Sequence, residues 1–468
     1  MPSPAQLARR HGGDLTLLVA AAIAAATSWT TIFTRFNVTV IVVGCALLGA
    51  ATVVRLALQA PTRWAVGAAL LLGLLPQWRR PPSGNVARGP LFHLATGLGM
   101  LAGVLLLAAA VGPARRRRRL ALLALAAAAA AGVLVIQSSA RPAIDVWIIF
   151  QQATQGLLHG RNPYEMFFPG VPAGQTDNCF NYLPFTFLVA LPGRVGLGDV
   201  RYAELGVALV GAGMVVRALR RPAGGNDLGV LLAVMALTLP GVLRVAQQAW
   251  NESIVLGCLL AAVALLLRER AWLAVVPLGL ALATKQHVLL LLPLWALWPA
   301  FGWRRALAAA GLAGAVCLPW LLANPGRFYG CTVRFFIDLP ARPDSLSVWK
   351  FLPGAARTPA VLALTACGYL LVARFVARSP AGLVFGCGLE FAAFDLANKQ
   401  SFENQWLLVC QLLVVALACR ASEPAPTAGG RETAPAAGGA AAGCPPSAGR
   451  RVGLRAGQRH LDAEATSD

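Results

Sequence analysis

The segment Arg115–Gln137, with the sequence RRRRRLALLALAAAAAAGVLVIQ, places five consecutive arginines directly before an uncharged apolar run. The run from Leu120 to Gln137 holds about 18 residues, enough for a helix to cross a hydrocarbon layer of about 30 Å. Arginines at one end of such a helix are typical of the cytoplasmic side of a membrane. The segment therefore predicts a membrane-spanning helix whose amino end faces the cytoplasm.

The rest of the chain repeats this pattern. Of 468 residues, 57% are hydrophobic and 13% are charged, and the mean hydropathy is +0.64. Soluble domains average about 45–50% apolar and about 25% charged residues. The composition predicts an all-α, polytopic transmembrane bundle of about 12–14 helices and excludes a disordered chain, a secreted disulfide scaffold and a coiled coil. Apolar runs begin near Leu15 and Val38 and continue at about 62–77, 90–112, 120–137, 201–218, 227–244, 252–267, 272–284, 288–302, 304–322, 357–376, 381–397 and 405–420.

The net charge is +21, from 40 Lys and Arg against 19 Asp and Glu. The basic residues are scattered between apolar runs instead of forming one soluble face, so nucleic acid is not the expected partner. Cytoplasmic loops that face anionic lipid explain the charge better. Only three of the basic residues are lysines: Lys285, Lys350 and Lys399.

Placing the basic turns inside the cell predicts two cytoplasmic termini and one polar outer face. The apolar stretch Tyr182–Gly193 is then a half-helix at the outer face, broken by Pro184 and Pro192. The loop with Arg79, Arg80 and Arg88 opposes this orientation. Residues 1–118 are expected to be accessory helices, 119–420 a catalytic membrane domain, and 421–468 a disordered cytoplasmic tail.

The outer face collects the polar residues that are not arginines. Ionisable groups at membrane depth are costly unless they face a cavity or each other, so their convergence predicts a site. The clusters are Asp145 to Asp177, Gln247 to Glu252, Lys285 to His287, Asn324 to Ser347, and Lys399 to Gln405.

Asp145 follows the end of the 120–137 span, where a carboxylate can accept a proton from an acceptor hydroxyl as a general base. Its alternative role is a helix N-cap, because an apolar run follows it. Arg161 and Tyr164 lie in the turn GRNPYE, where Arg161 would pair with an anionic headgroup and Tyr164 would face a sugar ring. The alternative there is an ordinary surface turn.

Lys285 and His287 interrupt the apolar stretch between Leu273 and Pro299. A lysine and a histidine donor would stabilise a phosphate leaving group. The alternative is a short outer turn in which the lysine reaches the membrane surface. The same choice between cavity lining and hairpin turn applies to the other candidate binding residues: Gln248, Asn251, Glu252, Ser345, Lys399, Glu403 and Asn404.

The ten cysteines contain no C-x-x-C pair, so neither a metal site nor a cofactor is predicted. Cys179 and Cys331 fall in the two large outer loops. An oxidising exterior would allow a bond between them, and two free thiols are the alternative.

In order along the chain, these motifs resemble glycosyltransferase family 87 of the GT-C superfamily of integral-membrane glycosyltransferases. The resemblance covers about 120–420 and rests on Asp145 after a span, Gly160-x-x-Pro163-Tyr164, Tyr182-x-Pro184, Gln248-x-x-Asn251, Lys285 at the end of LALATK, and Ser345-Leu346. The chain departs from the family at Leu183, where relatives often have proline, and at Gln247, where they have glycine.

The resemblance implies transfer of a hexose, often mannose, from a polyprenyl-phosphate donor to a glycolipid or glycan acceptor. It also implies inversion at the anomeric carbon, with Asp145 as the base, at the extracytoplasmic face of a bacterial plasma membrane. Tyr182 would belong to the donor site. Two other classes stay open: a multi-pass lipid or solute transporter or flippase, and a non-catalytic membrane assembly protein.

Overall fold

The computed structural model describes residues 4–29, 34–79, 89–171, 179–220 and 227–423, and the regular elements within these ranges are all helical. Short 3₁₀ turns at Pro163–Glu165, Gln286–Leu291, Trp349–Phe351 and Gly354–Ala356 and a π turn at Gly330–Arg334 join some of the α-helices. The α-helices are α1 (Pro4–Trp29), α2 (Arg35–Val53), α3 (Arg63–Arg79), α4 (Pro90–Val111), α5 (Ala114–Ser138), α6 (Asp145–Leu158), α7 (Phe185–Leu197), α8 (Arg201–Ala218), α9 (Leu228–Met235), α10 (Val242–Gln248), α11 (Glu252–Leu266), α12 (Val275–Leu282), α13 (Leu292–Leu297), α14 (Trp303–Ala323), α15 (Pro325–Tyr329), α16 (Phe335–Asp338), α17 (Arg357–Phe375), α18 (Pro380–Ala397) and α19 (Glu403–Ser422).

Among the described residues, eight helices are long and apolar enough to cross a membrane, and the bent pair α10–α11 raises the number to nine. The chain is therefore an all-α, multi-pass membrane protein, as the composition predicts. The count of about 12–14 crossings stays a prediction. The eight segments are His11–Trp29, Arg35–Val53, Pro90–Val111, Ala114–Ser138, Trp303–Ala323, Gly354–Phe375, Pro380–Ala397 and Glu403–Ser422.

Three of the predicted spans are not continuous α-helices. The 227–244 run divides into α9 and α10, because Pro240 and Gly241 lie between them. Gly241 has a φ of 97°, a left-handed conformation that ends a helix. The 272–284 run holds only the eight residues of α12. The 288–302 run contains most of a 3₁₀ turn and then α13, in which a proline occupies the first turn.

The half-helix expected at Tyr182–Gly193 is α7, and its thirteen residues extend about 20 Å, too short to cross the hydrocarbon layer. Pro184 occupies the N-cap position, where its missing N–H is not required. The expected break at Pro192 is wrong, because Pro192 lies inside the helix, which continues to Leu197.

The helices alternate between two ends of the bundle. At the basic end, Arg268 donates a hydrogen bond to the Arg217 carbonyl over 3.2 Å, and Arg55, Arg374 and Arg378 line one cavity. At the polar end, the carboxyl end of α5 and the amino ends of α8, α11 and α19 lie with the loops at 179–185, 283–287 and 339–348. The predicted separation of basic turns from the other polar clusters therefore appears in the fold.

Helices α8 and α11 cross in backbone contact. A Cβ atom added to Gly211 would lie 2.2 Å from the Gly257 carbonyl oxygen, and one added to Gly257 would lie 2.4 Å from the Val207 oxygen. Small residues allow such close crossings in membrane helices. The crossing brings the charged amino ends of α8 and α11 together at the polar end.

Residues 1–423 form one compact unit, in which α1 packs against α3 and α19. The domain boundary predicted at residue 118 lies near the start of α5, which packs along α4. Arg80, Arg88 and residues 424–468 of the tail lie outside the described residues, as does Asp177.

Candidate functional site

The site begins at the sharp turn between α10 and α11, where the helix axes bend by 119°. Ala249 in this turn is fully buried and has a φ of 56°, a left-handed conformation that a non-glycine residue adopts at an energetic cost. The turn also buries Gln247, Gln248, Asn251 and Glu252, each at most 3% exposed. These residues therefore form a turn, as one alternative predicts, and the turn is buried inside the bundle instead of exposed.

A buried ion pair joins this turn to the loop after α12. The Nζ atom of Lys285 bonds to Oε1 of Glu252, and their side chains are only 12% and 2% exposed. The alternative of a lysine reaching the membrane surface is wrong, because Lys285 points inward to this carboxylate. A pair this deep requires further polar partners to offset its lost hydration.

Three more polar side chains surround the pair. The Asn404 amide and the His287 ring approach the Glu252 carboxylate, and Asp395 lies within electrostatic range of both paired residues. The His287 ring also packs edge-on against Phe391, with 5.1 Å between the ring centroids. The structure therefore unites three of the predicted clusters around one ion pair.

Two polar atoms beside the ion pair are buried and have no hydrogen-bond partner among the described residues: Oε2 of Glu252 and Nδ2 of Asn251. Oδ1 of Asn181, in the neighbouring loop, is also buried without a hydrogen-bond partner among the described residues. Leaving a buried polar atom unpaired costs about 1–3 kcal/mol. Such atoms are the groups a bound polar ligand would satisfy.

Tyr182 connects Asp145 to this cluster. The Nζ atom of Lys285 lies 5.8 Å from the centroid of the Tyr182 ring. Burial raises the pKa of the Tyr182 hydroxyl well above its usual range, and the nearby Asp145 carboxylate raises it further. Asp145 is the first residue of α6 and Ile144 holds the N-cap position, so the N-cap alternative for Asp145 is wrong.

The loop that carries Tyr182 is fastened on both sides. The Leu183 and Phe185 N–H groups donate to the Thr284 and Ala283 carbonyls over 3.2 and 3.0 Å. The Gln286 side-chain amide donates to the carbonyls of Asn181 and Thr332, both over 3.0 Å. A disulfide between Cys179 and Cys331 decides the question that the sequence leaves open.

Tyr164 holds this loop through a hydrogen bond and does not face a ligand. Its hydroxyl donates to the Tyr182 carbonyl over 2.8 Å, and its ring is fully buried among aromatic side chains. The predicted stacking of Tyr164 on a sugar ring is incompatible with this enclosure. The rings around it belong to Phe180, Phe187, Trp320 and Phe328.

Ser345, Lys399 and Glu403 form contacts away from the ion pair. The Ser345 hydroxyl accepts the Ser401 N–H over 3.0 Å, and Lys399 donates to the Ile337 carbonyl over 2.9 Å. Glu403 pairs with Arg244 over 3.5 Å inside the bundle. The Ser345 contact fastens the 339–348 loop to the segment before α19, whereas Lys399 contacts α16 and Glu403 contacts α10. Asn404 is therefore the member of its cluster that reaches the ion pair.

Arg161 is exposed and lines a separate groove beside α6, with Arg141 and Arg194. The anionic headgroup predicted for Arg161 would therefore bind in this groove and not at the Lys285 ion pair. The described ranges contain no cluster of three or more side chains suited to hold a metal ion.

Sequence reasoning missed a second buried charge network. Arg201, 1% exposed, pairs with Asp199 over 2.6 Å and donates to the carbonyls of Ser139 and Gln247 over 2.8 and 2.9 Å. Glu204, one helical turn later, is fully buried near Glu252. The available signal was Arg201 and Glu204 in the first turn of the 201–218 run, with Asp199 just before it.

Compared with protein-family models and with curated proteins, the chain matches no family model and no curated sequence. The functional argument therefore depends on the residues of the site and on the resemblance of their motifs.

Proposed function

We propose that the protein is a membrane glycosyltransferase of the GT-C type that moves a hexose from a polyprenyl-phosphate donor to a glycolipid or glycan acceptor. One observation carries the proposal: the buried Glu252–Lys285 pair lies beside the Tyr182 ring, and Tyr182 lies within electrostatic range of the Asp145 carboxylate, although these residues come from separate elements. All of them belong to the polar end of the bundle. By the positive-inside rule this end faces away from the cytoplasm. The membrane would be a bacterial plasma membrane.

In the proposed reaction, the oxygen of an acceptor hydroxyl attacks the anomeric carbon of the donor sugar. At the same time the Asp145 carboxylate accepts the proton of that hydroxyl. The bond from that carbon to the phosphate oxygen breaks, the configuration inverts, and the polyprenyl phosphate leaves. Lys285 and His287 stabilise the charge that develops on the leaving phosphate. Glu252 holds Lys285 in place, so the donor site is preorganised before the phosphate arrives.

The decisive variant is Asp145→Asn, which keeps the side-chain shape and removes the base. General-base catalysis contributes about 10²–10⁴-fold, and transfer of radiolabelled hexose from polyprenyl phosphate should fall by that factor. The matched control is Asp338→Asn, because Asp338 is the last residue of α16 and an exposed carboxylate paired with Arg334. Equal turnover in the two variants would refute the role of Asp145.

The donor role of Lys285 and His287 has its own measurement. His287→Ala should bind the labelled polyprenyl-phosphate sugar at least about tenfold more weakly, because a charged or polar contact to phosphate is lost. The control is Lys350→Ala, an exposed lysine that donates to the Pro343 carbonyl. Unchanged donor affinity in His287→Ala would leave the phosphate contact without support.

One observation favours a transporter as the second candidate. The breaks between α9, α10 and α11 place a buried ion pair at discontinuous helices, an arrangement found in transporters. Proteoliposomes loaded with labelled lipid-phosphate sugar separate the two candidates. Movement of the donor across the bilayer without any new glycosidic product, unaffected by Asp145→Asn, would favour transport over transfer.

A further inference from the structure

A groove beside α6 lies outside the site described above. It has a volume of about 680 Å³, within the range of small-ligand pockets. Its walls come from α6, the turn after it, the carboxyl end of α7 and the 140–141 segment. Polar side chains and two aromatic rings line it: Arg141, Trp147, Gln151, Gln152, Gln155, His159, Arg161, Phe167, Arg194 and Asp199.

The groove carries an excess of positive charge. Asp199 is the only acid that lines it within the described ranges, and this carboxylate is already paired with Arg201 over 2.6 Å. Arg194 donates to two neutral acceptors, the Gly198 carbonyl over 3.1 Å and the Gln155 amide oxygen over 2.7 Å. Arg141 and Arg161 are exposed. Three guanidinium groups therefore line the groove, and none of them pairs with a carboxylate within the ranges that the structure describes.

The hydrogen bonds of the Arg194 guanidinium indicate what kind of ligand it would bind. Its Nε atom is buried and has no hydrogen-bond partner in the part of the chain that the structure describes. A planar guanidinium with a free donor matches the oxygens of a phosphate or carboxylate. The glutamines and Trp147 beside it suit the hydroxyl groups and the ring faces of a polyol or sugar.

Apolar side chains are exposed on the segments that line the groove, and we call these side chains its apolar rim. Phe167, Val195 and Leu197 are 60%, 66% and 65% exposed, and Leu158 at the end of α6 is 49% exposed. Apolar side chains exposed together mark a surface that contacts lipid or a partner. A basic cavity beside such a rim matches a ligand that has an anionic head and an apolar tail.

We propose that this groove binds the phosphate-bearing headgroup of an anionic lipid, with the acyl chains lying on the apolar rim. Arg141, Arg161 and Arg194 hold the phosphate, and the glutamines bond to the polyol part of the headgroup. This binding does not require sugar transfer. Only the further identification of this lipid as the acceptor, whose hydroxyl would reach Asp145 on the same helix, rests on the proposed function.

The experiment measures binding of radiolabelled phosphatidylglycerol to the purified full-length chain in neutral detergent, with phosphatidylcholine of the same acyl chains as the comparison lipid. We expect phosphatidylglycerol to bind at least about tenfold more tightly, because guanidinium–phosphate contacts are charge-assisted. The double variant Arg141→Gln/Arg161→Gln should lose this preference. Both side chains are exposed, so the variant should fold, which its elution as a single species checks.

The matched control is Arg334→Gln/Arg342→Gln, which removes two exposed arginines from the loops after α14. It should keep the phosphatidylglycerol preference. The proposal is overturned if the groove variant binds phosphatidylglycerol like the unmodified chain, or if the control variant loses binding equally.

A further arm separates a lipid from a soluble anion. Glycerol 3-phosphate carries the same phosphate without acyl chains and should compete poorly, whereas Val195→Gln/Leu197→Gln should weaken phosphatidylglycerol binding. Equal affinity for glycerol 3-phosphate and phosphatidylglycerol would overturn the lipid assignment. These binding readouts are independent of turnover, so a failure here is distinguishable from a failure of the proposed sugar transfer.

Discussion

The polar end and the basic end of the bundle both carry cations, and they hold them differently. At the polar end, Arg201 and Lys285 are buried and bond to acids. At the basic end, Arg268 and Arg378 are exposed, and their side chains contact carbonyl groups or an aromatic face. A basic-end exception is Arg117, which is buried and donates to the Ala109 carbonyl over 3.2 Å.

The difference shows which charges belong to a site. An exposed arginine at a helix end requires only water and lipid headgroups, so membrane topology alone explains it. A cation buried with an acid requires several segments of the chain to meet. The polar end therefore depends on tertiary structure for its charges, and the predictions below test that dependence.

The largest expected effect belongs to Lys285→Met. Removing Lys285 leaves the Glu252 carboxylate buried without its partner, and we expect a loss of about 3–5 kcal/mol in the free energy of unfolding. Thermal unfolding of the purified protein in detergent measures the loss. The control Lys350→Met removes an exposed lysine and should unfold like the unmodified chain.

A companion variant identifies the cause. Glu252→Gln/Lys285→Met removes both charges and should recover much of the lost stability, because no charge is then left buried alone. A double variant no more stable than Lys285→Met would show that packing, not charge, controls this region.

The disulfide comes next. Cys179→Ser/Cys331→Ser should lower the free energy of unfolding by about 2–4 kcal/mol, the range typical of native disulfides. Reductant should lower the melting temperature of the unmodified chain to that of the double variant. The control is Cys367→Ser, an exposed free cysteine in α17. If neither the double substitution nor the reductant changes the melting temperature, the bond has no structural role.

A smaller effect is expected at Ser345. Its hydroxyl accepts the Ser401 N–H over 3.0 Å, so Ser345→Ala should cost about 1 kcal/mol and loosen the loop at 339–348. Faster hydrogen exchange at the Ser401 amide would report it. Ser138→Ala is the matched control, because the Ser138 hydroxyl donates within its own helix, to the Val135 carbonyl over 2.9 Å. Similar exchange in both variants would argue against the loop anchor.

The smallest effect is expected at the basic end. The Arg378 guanidinium lies 4.9 Å from the centroid of the Trp298 ring, and Arg378→Gln should cost about 0.5–1 kcal/mol as an exposed cation–π contact. Thermal unfolding measures it beside Lys285→Met. A loss as large as that of Lys285→Met would remove the distinction between the two ends.

Much of the fold followed from elementary properties of the chain. Arg115–Gln137 predicts α5 closely, because a long uncharged run after a basic cluster has few other stable structures. The break between α9 and α10 was not predicted, since a window of mean hydropathy does not register Pro240. The break between α10 and α11 was predicted from the polar cluster at Gln247–Glu252, but its burial was left open. Short apolar helices are stable there because neighbouring helices cover them.

The sequence predicted where the site lies, but it did not predict all the contacts that its side chains form. The clusters at Gln248–Glu252, Lys285–His287 and Asn404 do meet, as the segregation of polar residues predicts. Tyr164 supports the Tyr182 loop instead of facing a sugar, and Arg161 lies in a separate groove. The type of residue indicates which chemistry is available, whereas side-chain direction depends on packing.

Composition and hydropathy were enough to predict an all-helical membrane protein in which several basic turns lie opposite the other polar clusters. The physical reason is that apolar length and charge distribution act locally, one helix at a time. Only the tertiary structure decided that Lys285 pairs with Glu252, that Cys179 bonds to Cys331, and that Arg161 stands apart. Each of those outcomes depends on segments far apart in the chain, whose meeting is set by helix packing.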